Sequence, residues 1–402
     1  MIKNQLCYPF DERLLEFCRN ENQTLVYIAY GKNKTVNGAA RALGKDVSAV
    51  SQTIRSIQAK AAKAGLSENF DARRHVPQGE QVIGRSVFTT DDEGNPIWLK
   101  TKASIEKQQE AFRAYIEGLT SEIKPLPKVK TPKGKFSEDL MSVICIGDAH
   151  IGMYAFKPET KHSDFNVNIA ARGLRDAIDD LVSRCPPSET GMLVDVGDFM
   201  HANSSHGTTY AGTPLDNDSR YSRVLEIAGE VMQYAVTQML KNFKRVICVI
   251  AKGNHNPDAA VAVQQITNAY FHKNKRVEVL KTFGFFHYVE WKGHLIGVNH
   301  GDKIKPQKLV NVMARDMPEA WGRCTGSRMW LTGHYHHQQV LELDGCTVFK
   351  MGALPPPDSW HAGSGYGGDG KMQMMTLKAG GGTHSTMIYE LPRPIIEPDL
   401  KL

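Results

Sequence analysis

Beyond residue 140 the apolar positions gather into short runs. Those at 142–147, 191–196, 245–251, 294–299 and 328–332 are rich in Val, Ile, Leu and Met and read as buried strands. Between them, 168–184, 221–242 and 305–316 repeat apolar residues at helical spacing. Strands alternating with helices predict an α/β core. Ahead of this region the pattern differs. Residues 11–66 are mostly helical in pattern, and VIGRSVF and PIWLK alternate around the turn signal DDEGN, which predicts a hairpin within 82–102. An amphipathic helix is expected over 103–119, and 338–350 are strand-like. The Gly-rich PPPDSWHAGSGYGGDG that follows reads as a surface loop, with a lid or substrate loop as the alternative.

Residues 122–136, EIKPLPKVKTPKGKF, interleave three prolines with five lysines and predict a stiff, solvated linker. The expected organisation is therefore a helix-turn-helix-like domain over 1–66, a hairpin plus helix over 67–121, the linker over 122–136 and the α/β domain over 137–402. Charge follows this division. Residues 1–136 hold 22 Lys and Arg against 15 Asp and Glu, whereas the remainder holds 27 against 28. A polyanionic partner is thus expected at the N-terminal third. The seven cysteines are scattered and form no CxxC pair, which argues against a disulfide framework or a zinc ribbon. With no apolar run long enough to cross a bilayer and no signal-peptide pattern in MIKNQLCYPF, the expectation is a cytoplasmic protein without a membrane partner.

Five strand candidates end alike. SVICIGDAH places Asp148 and His150 just past a strand, and MLVDVGDFMH places Asp198 there. VICVIAKGNHN does so for Asn254 and His255, HLIGVNHGD for His300, and MWLTGHYHH for His334 and His336. Loops at the carboxyl ends of strands in an α/β fold converge on one crevice, so a rigid sheet can gather ligands distant in sequence. One intervening residue in DxH and HxH puts both side chains on one side of an extended segment. Carboxylate, imidazole and amide together suit Mn, Fe or Zn better than Ca or Mg alone, and a shared carboxylate can bridge two cations about 3.5–4 Å apart. Asp195, inside a strand run, reads as buried support; Asp302 and His337 read as partners orienting the histidines or as solvated bystanders. His201 reads as a contact to substrate phosphate or as a plain loop histidine.

The ordered series GDAH, GD, GNH, NH and GHYH over roughly residues 140–340 resembles the calcineurin-like metallophosphoesterases. The resemblance implies a β-sandwich flanked by helices and two divalent metal ions, Mn first and Fe, Zn or Mg as alternatives. It implies Asp148, His150 and His336 on one metal, Asn254, His300 and His334 on the other, and Asp198 bridging both. It further implies that a metal-bridging hydroxide attacks phosphorus and that His255 protonates or stabilises the leaving oxygen. Two departures stand out. Asn256 follows GNH where many members carry an acidic residue, and GDFMHAN lacks the arginine of phosphoprotein phosphatases.

In the N-terminal part, Thr35 predicts a helix cap before NGAARAL, Gly44 a turn, and a second helix carries Val47, Val50, Ile54 and Ile57 on one face. This resembles the helix-turn-helix of transcription regulators. The resemblance implies a DNA-facing surface with Ser48, Ser51, Gln52 and Arg55 in the groove, and Arg41, Lys45, Lys60 and Lys63 against phosphates. Together the parts point to a DNA nuclease or DNA-processing phosphodiesterase, similar in its GNH and GHxH motifs to SbcD-type exonuclease subunits and related phage proteins. The domain pairing suggests phage origin, which would put the protein in a host cytoplasm; self-association is left open. Two alternatives are a small-molecule or cyclic-nucleotide phosphodiesterase or phosphatase with an N-terminal docking module, and a DNA-binding regulator with a vestigial site.

Overall fold

A computed structural model describes residues 10–63, 85–90, 96–101, 105–281, 283–365, 367–368 and 370–392. The expectations for Cys7, for 67–84 and for the turn DDEGN fall wholly or largely outside these residues, as does the side chain of Lys63. The chain divides into two compact units, 1–112 and 113–402.

In the first unit a 3-10 turn, Glu12–Phe17, precedes α1 (Glu21–Asn33), α2 (Val36–Leu43) and α3 (Val47–Lys63). The Thr35 side chain accepts from the Gly38 N–H and starts α2. Gly44 ends it at φ 60°, where an L side chain would be strained. Asp46 then accepts from the N–H groups of Ser48 and Ala49 and starts α3. Val50, Ile54, Ile57 and Ala61 form one buried face of α3 against Val26, Tyr27 and Tyr30 of α1. Val47, expected on that face, is 45% exposed. A helical side chain leans over the turn N-terminal to it, and the first residue of a helix has no such turn. β1 (Arg85–Thr90) pairs antiparallel with β2 (Pro96–Thr101), the expected hairpin. α4 (Ile105–Ser121) contains the division between the units.

The second unit is a sandwich of two sheets. One has the order β13-β12-β3-β4-β5-β6, built from β3 (Ser137–Ile146), β4 (Ser188–Asp195), β5 (Arg245–Ile250), β6 (Val277–Val279), β12 (Lys371–Lys378) and β13 (Thr383–Glu390). The other has the order β10-β11-β9-β8-β7, built from β7 (His287–Trp291), β8 (His294–Val298), β9 (Ser327–Thr332), β10 (Gln339–Leu343) and β11 (Cys346–Lys350). β3 to β6 run parallel, as do β8, β9 and β11.

Alternate residues of both sheets, among them Val143, Cys145, Val194, Val249, Ile296, Val298 and Leu331, meet in one core. The opposite alternates face helices, so these strands are buried on both faces and read as continuous apolar runs. α6 (Val167–Arg184), α7 (Tyr221–Asn242) and α8 (Pro257–Phe271) pack side by side and contact the strands of the larger sheet. α9 (Pro306–Asp316) and α10 (Pro318–Arg323) cover the smaller one through Leu309, Val312, Met313 and Ala320 around Trp330. The short helices α5 (Lys157–Thr160) and α11 (Ser359–Gly363) lie in the loops after β3 and β11.

The five lysines of the Lys/Pro stretch are exposed, and its backbone is tied to neighbouring elements. Leu126 donates to the Tyr270 carbonyl, and the Arg276 guanidinium donates to the Val129 carbonyl at 2.9 Å. Proline-set extended backbone leaves its polar groups free for such partners, and here they bind the larger unit.

Candidate metal centre

The parallel strands β3, β4 and β5 of one sheet and β8 and β9 of the other direct their following loops to one place. Asp148, His150, Asp198 and His300 are buried there to 1% exposure or less, while His255, His334 and His336 are half-buried. Ligating atoms of Asp148, His150 and His336 lie within 4.8 Å of one another, and so do those of Asp148, Asp198 and His300. Asp148 belongs to both groups. Nε2 of His300 is 3.0 Å from Asp198 Oδ2 and 3.0 Å from Asn254 Oδ1. Nε2 of His150 faces Nε2 of His336 at 3.1 Å. The His334 ring meets the His300 ring edge-on at 5.2 Å, and its backbone N–H donates to both Asp148 oxygens at 2.9 Å. All seven residues expected as ligands are thus brought together.

The backbone is bent to achieve this. His150, Asp198, His334 and His336 adopt φ of 42°, 53°, 74° and 56°. Non-glycine residues in this region cost about 1–3 kcal/mol each and persist only where their surroundings hold them. Gly253 and Gly333 allow the close approach. A Cβ on the first would lie 1.9 Å from Asp198 Oδ1, and on the second 2.5 Å from Asp148 Oδ2.

Burial and neighbouring charge set the protonation of these groups. Burial pushes Asp148 up to about 7, against the pull of His300. Burial also opposes ionisation of Asp198, but His300 and His255 beside it hold its carboxyl below the usual range. His300 resists its own burial because of Asp198 and rises to about 10. Burial holds His150 well below its ordinary value, and burial together with His361 brings His336 down to about 3. The two imidazoles are therefore neutral, which is the ligating form. Among the described residues no lysine or arginine pairs with Asp148 or Asp198, whose ion-pair partners are histidines. Buried carboxylates with no lysine or arginine beside them, the neutral imidazoles of His150 and His336, and a His300 proton that a bound cation would displace make a donor set that fits divalent cations.

Behind the ligating atoms lie supporting groups. His201 is 1% exposed, with Nδ1 3.2 Å from His150 Nδ1 and no partner on Nε2. A ring nitrogen of His201 lies within 4.8 Å of ring nitrogens of His150 and His255, so the structure brings it to the cluster. The His201 carbonyl accepts from His255 Nδ1 at 2.8 Å. This supplies to His255 the support that Asn256 does not, since Asn256 accepts instead from Gly253 N–H. Asp195 is fully buried and accepts from the Gly197 N–H. His337 is exposed and bonds the Tyr335 carbonyl, apart from the other imidazoles.

One pair escaped the sequence reading. Asp358 caps α11 and accepts from His361 Nδ1 at 2.7 Å, and the His361 ring stacks on His336 at 4.9 Å. The aspartate before SWH was its only signal, a helix cap inside a Gly-rich run.

The residues expected at DNA are displayed together. Arg41, Lys45, Ser48, Gln52 and Arg55 are exposed and Ser51 is half-buried, on α2, its turn and the open side of α3. No described helix is long and apolar enough to cross a membrane.

No family model and no curated protein matches the chain. Among solved structures it is similar to vacuolar protein sorting 29 from Cryptosporidium parvum, at 15% identity over 63% of this chain and 99% of that one, with a TM-score of 0.31. It is similar to YfcE, a phosphoesterase from E. coli, at 12% identity over 61% and 98%, with a TM-score of 0.30. For the NAD nucleotidase of Haemophilus influenzae the values are 9% identity over 63% and 50%, with a TM-score of 0.31. At such identities and scores these likenesses carry no functional weight, which falls on the site's own geometry.

Proposed function

We propose that the chain is a divalent-metal-dependent phosphoesterase that hydrolyses phosphodiester bonds in nucleic acid, most directly a DNA nuclease. The observation that carries this reading is the convergence of Asp148, His150, Asp198, Asn254, His300, His334 and His336 from five strand ends around carboxylates that no lysine or arginine neutralises. Asp148, His150 and His336 would hold one cation, and Asn254, His300 and His334 a second, with Asp198 between them. Mn is the first candidate, with Fe, Zn or Mg as alternatives. Bound cations supply Lewis acidity toward phosphate oxygens and lower the pKa of a water to the neutral range.

The chain's own groups do the rest. His255 is oriented twice: its backbone N–H donates to Asp198 Oδ1 at 2.8 Å, and its ring Nδ1–H donates to the His201 carbonyl. That second bond leaves Nε2 as the nitrogen that, when protonated, gives its proton to the leaving oxygen. Asn254 Oδ1 lies 3.0 Å from His300 Nε2, and the His334 N–H donates to both Asp148 oxygens, which holds these side chains in place. In the first unit, Arg41 and Lys45 would take phosphates, and Ser48, Ser51, Gln52 and Arg55 would face a DNA groove. Nothing in the site's geometry favours a vestigial role.

The experiment is cleavage of end-labelled DNA by protein loaded with Mn²⁺. Cleavage that EDTA abolishes supports the reading. Turnover confined to cyclic nucleotides or p-nitrophenyl esters overturns the nucleic-acid part, and no turnover of any phosphoester overturns it entirely.

A further inference from the structure

Two features flank the metal centre and are used by nothing above. The first is a cavity of about 1060 Å³ that opens beside His336, with Lys157, Lys161, His162 and Lys371 in its wall. Its size lies at the upper limit for pockets that take a single small molecule. Its charge is mainly positive: Asp164 is also in the wall, and Lys371 pairs with Glu390 at 3.3 Å. Lys161 Nζ donates to the Pro158 carbonyl, and Lys157 makes no ion pair among the described residues.

The second feature is aromatic and basic. Lys303 Nζ lies 3.4 Å and Lys252 Nζ 5.4 Å from the Phe285 ring centre, and Lys252 donates to the Phe283 carbonyl. Phe283 itself is 76% exposed. An exposed phenyl beside two held ammonium groups matches a nucleobase joined to phosphates: stacking tolerates any base, and the lysines follow the backbone.

Strand order places these features on opposite flanks. The cavity belongs to the loops after β3, β9 and β11 and to the start of β12; the aromatic patch belongs to the loops after β5 and β8 and to the residues just before β7. In the sheets the orders run β12-β3-β4-β5 and β11-β9-β8-β7, so both sheets lead from the cavity, past the donors, to the patch. We infer that an unpaired nucleic-acid strand crosses the centre along this line, its phosphates in the lysine cavity on one side and a base on Phe283 on the other. A duplex hides its base faces and does not fit the patch. The inference rests on the proposed function and narrows its substrate to single-stranded nucleic acid.

The test is fluorescence anisotropy of a labelled twelve-residue oligothymidine with the full chain in EDTA, where turnover is absent. Excess unlabelled duplex is included to occupy any duplex site elsewhere on the chain. Phe283→Ala is expected to weaken binding about five- to hundredfold, and Phe283→Trp to restore it. Lys157→Gln with Lys161→Asn, asparagine being at home at the left-handed φ of 64° of residue 161, is expected to lower the slope of log K against log salt by about 1.4. Thermal midpoints equal to wild type show that the variants fold, as the exposure of Phe283 predicts. Binding by Phe283→Ala within twofold of wild type, an unchanged salt slope, or loss of wild-type binding to excess duplex overturns the inference. Binding as expected but without cleavage after Mn²⁺ addition leaves the strand path standing and overturns the proposed function instead.

Discussion

Substituting Gly253 by alanine tests how closely the loops of the centre are fitted. The added Cβ would sit 1.9 Å from Asp198 Oδ1 and 2.5 Å from both its Cγ and its backbone nitrogen. Ordinary van der Waals contact begins near 3.4 Å, so the two loops must part by about 1.5 Å. Asp198 cannot yield by rotating. Its carbonyl accepts from the His150 N–H at 2.9 Å, its Oδ1 from the His255 N–H, and its Oδ2 faces His300. The displacement must therefore separate Asp198 and His255 or carry the Asn254 loop away from His300. Misplacement by about 1 Å costs on the order of a hundredfold in rate, or about 3 kcal/mol in the barrier. Overpacking costs about 1–3 kcal/mol of stability, a fraction of the 5–15 kcal/mol of a typical domain. The fold survives and the activity does not. Hydrolysis of bis(p-nitrophenyl) phosphate at saturating Mn²⁺, beside a thermal melt, separates the two effects. A Gly253→Ala protein with kcat/KM within threefold of wild type would refute the close approach of these loops.

Other consequences can be measured separately. His255→Ala should lower kcat by about a hundred- to ten-thousandfold while retaining bound metal; metal loss in this variant would instead make His255 a ligand. Because His300 rises to about 10 in the metal-free protein, it is protonated at pH 8 and must release that proton to ligate. Metal titrations at pH 8 in buffers of different ionisation enthalpy should thus show release of about one proton, with affinity rising about tenfold per pH unit from 7 to 9; pH-independent affinity contradicts this. Arg41→Ala with Lys45→Ala should weaken duplex DNA binding and lower its salt slope by about 1.8, one phosphate lost at each residue, as read by a gel or anisotropy titration.

The donor set was legible because each ligand sits within a few residues of an apolar run, and the runs became β3, β4, β5, β8 and β9 nearly to their bounds. Parallel strands buried on both faces leave an unbroken apolar signature, and a cation site must put carboxylates and imidazoles where such a run stops. The two strands at the β13 end of the larger sheet were harder. β12 and β13 follow a Gly-rich segment, and β13 alternates between exposed and half-buried, which resembles loop composition. The two-residue connection Asp344-Gly345 between β10 and β11 was a readable hairpin signal inside what looked like one strand. The positive φ at His150, Asp198, His334 and His336 has no sequence signature, because it is imposed by the packing of loops from different strands. His201 and His361 are likewise defined only by what they touch, a histidine beside the donors and one stacked upon them.

The central claim is that the buried carboxylates and imidazoles hold divalent cations that hydrolyse phosphodiesters in nucleic acid. Its most direct test is the rate of labelled-DNA cleavage by protein stripped with EDTA and then titrated with Mn²⁺. The account predicts no cleavage by the stripped protein and a rate that rises with added metal to a plateau, absent in Asp148→Asn. Cleavage that persists in EDTA, or a protein that binds the metal yet leaves every DNA intact, would contradict it.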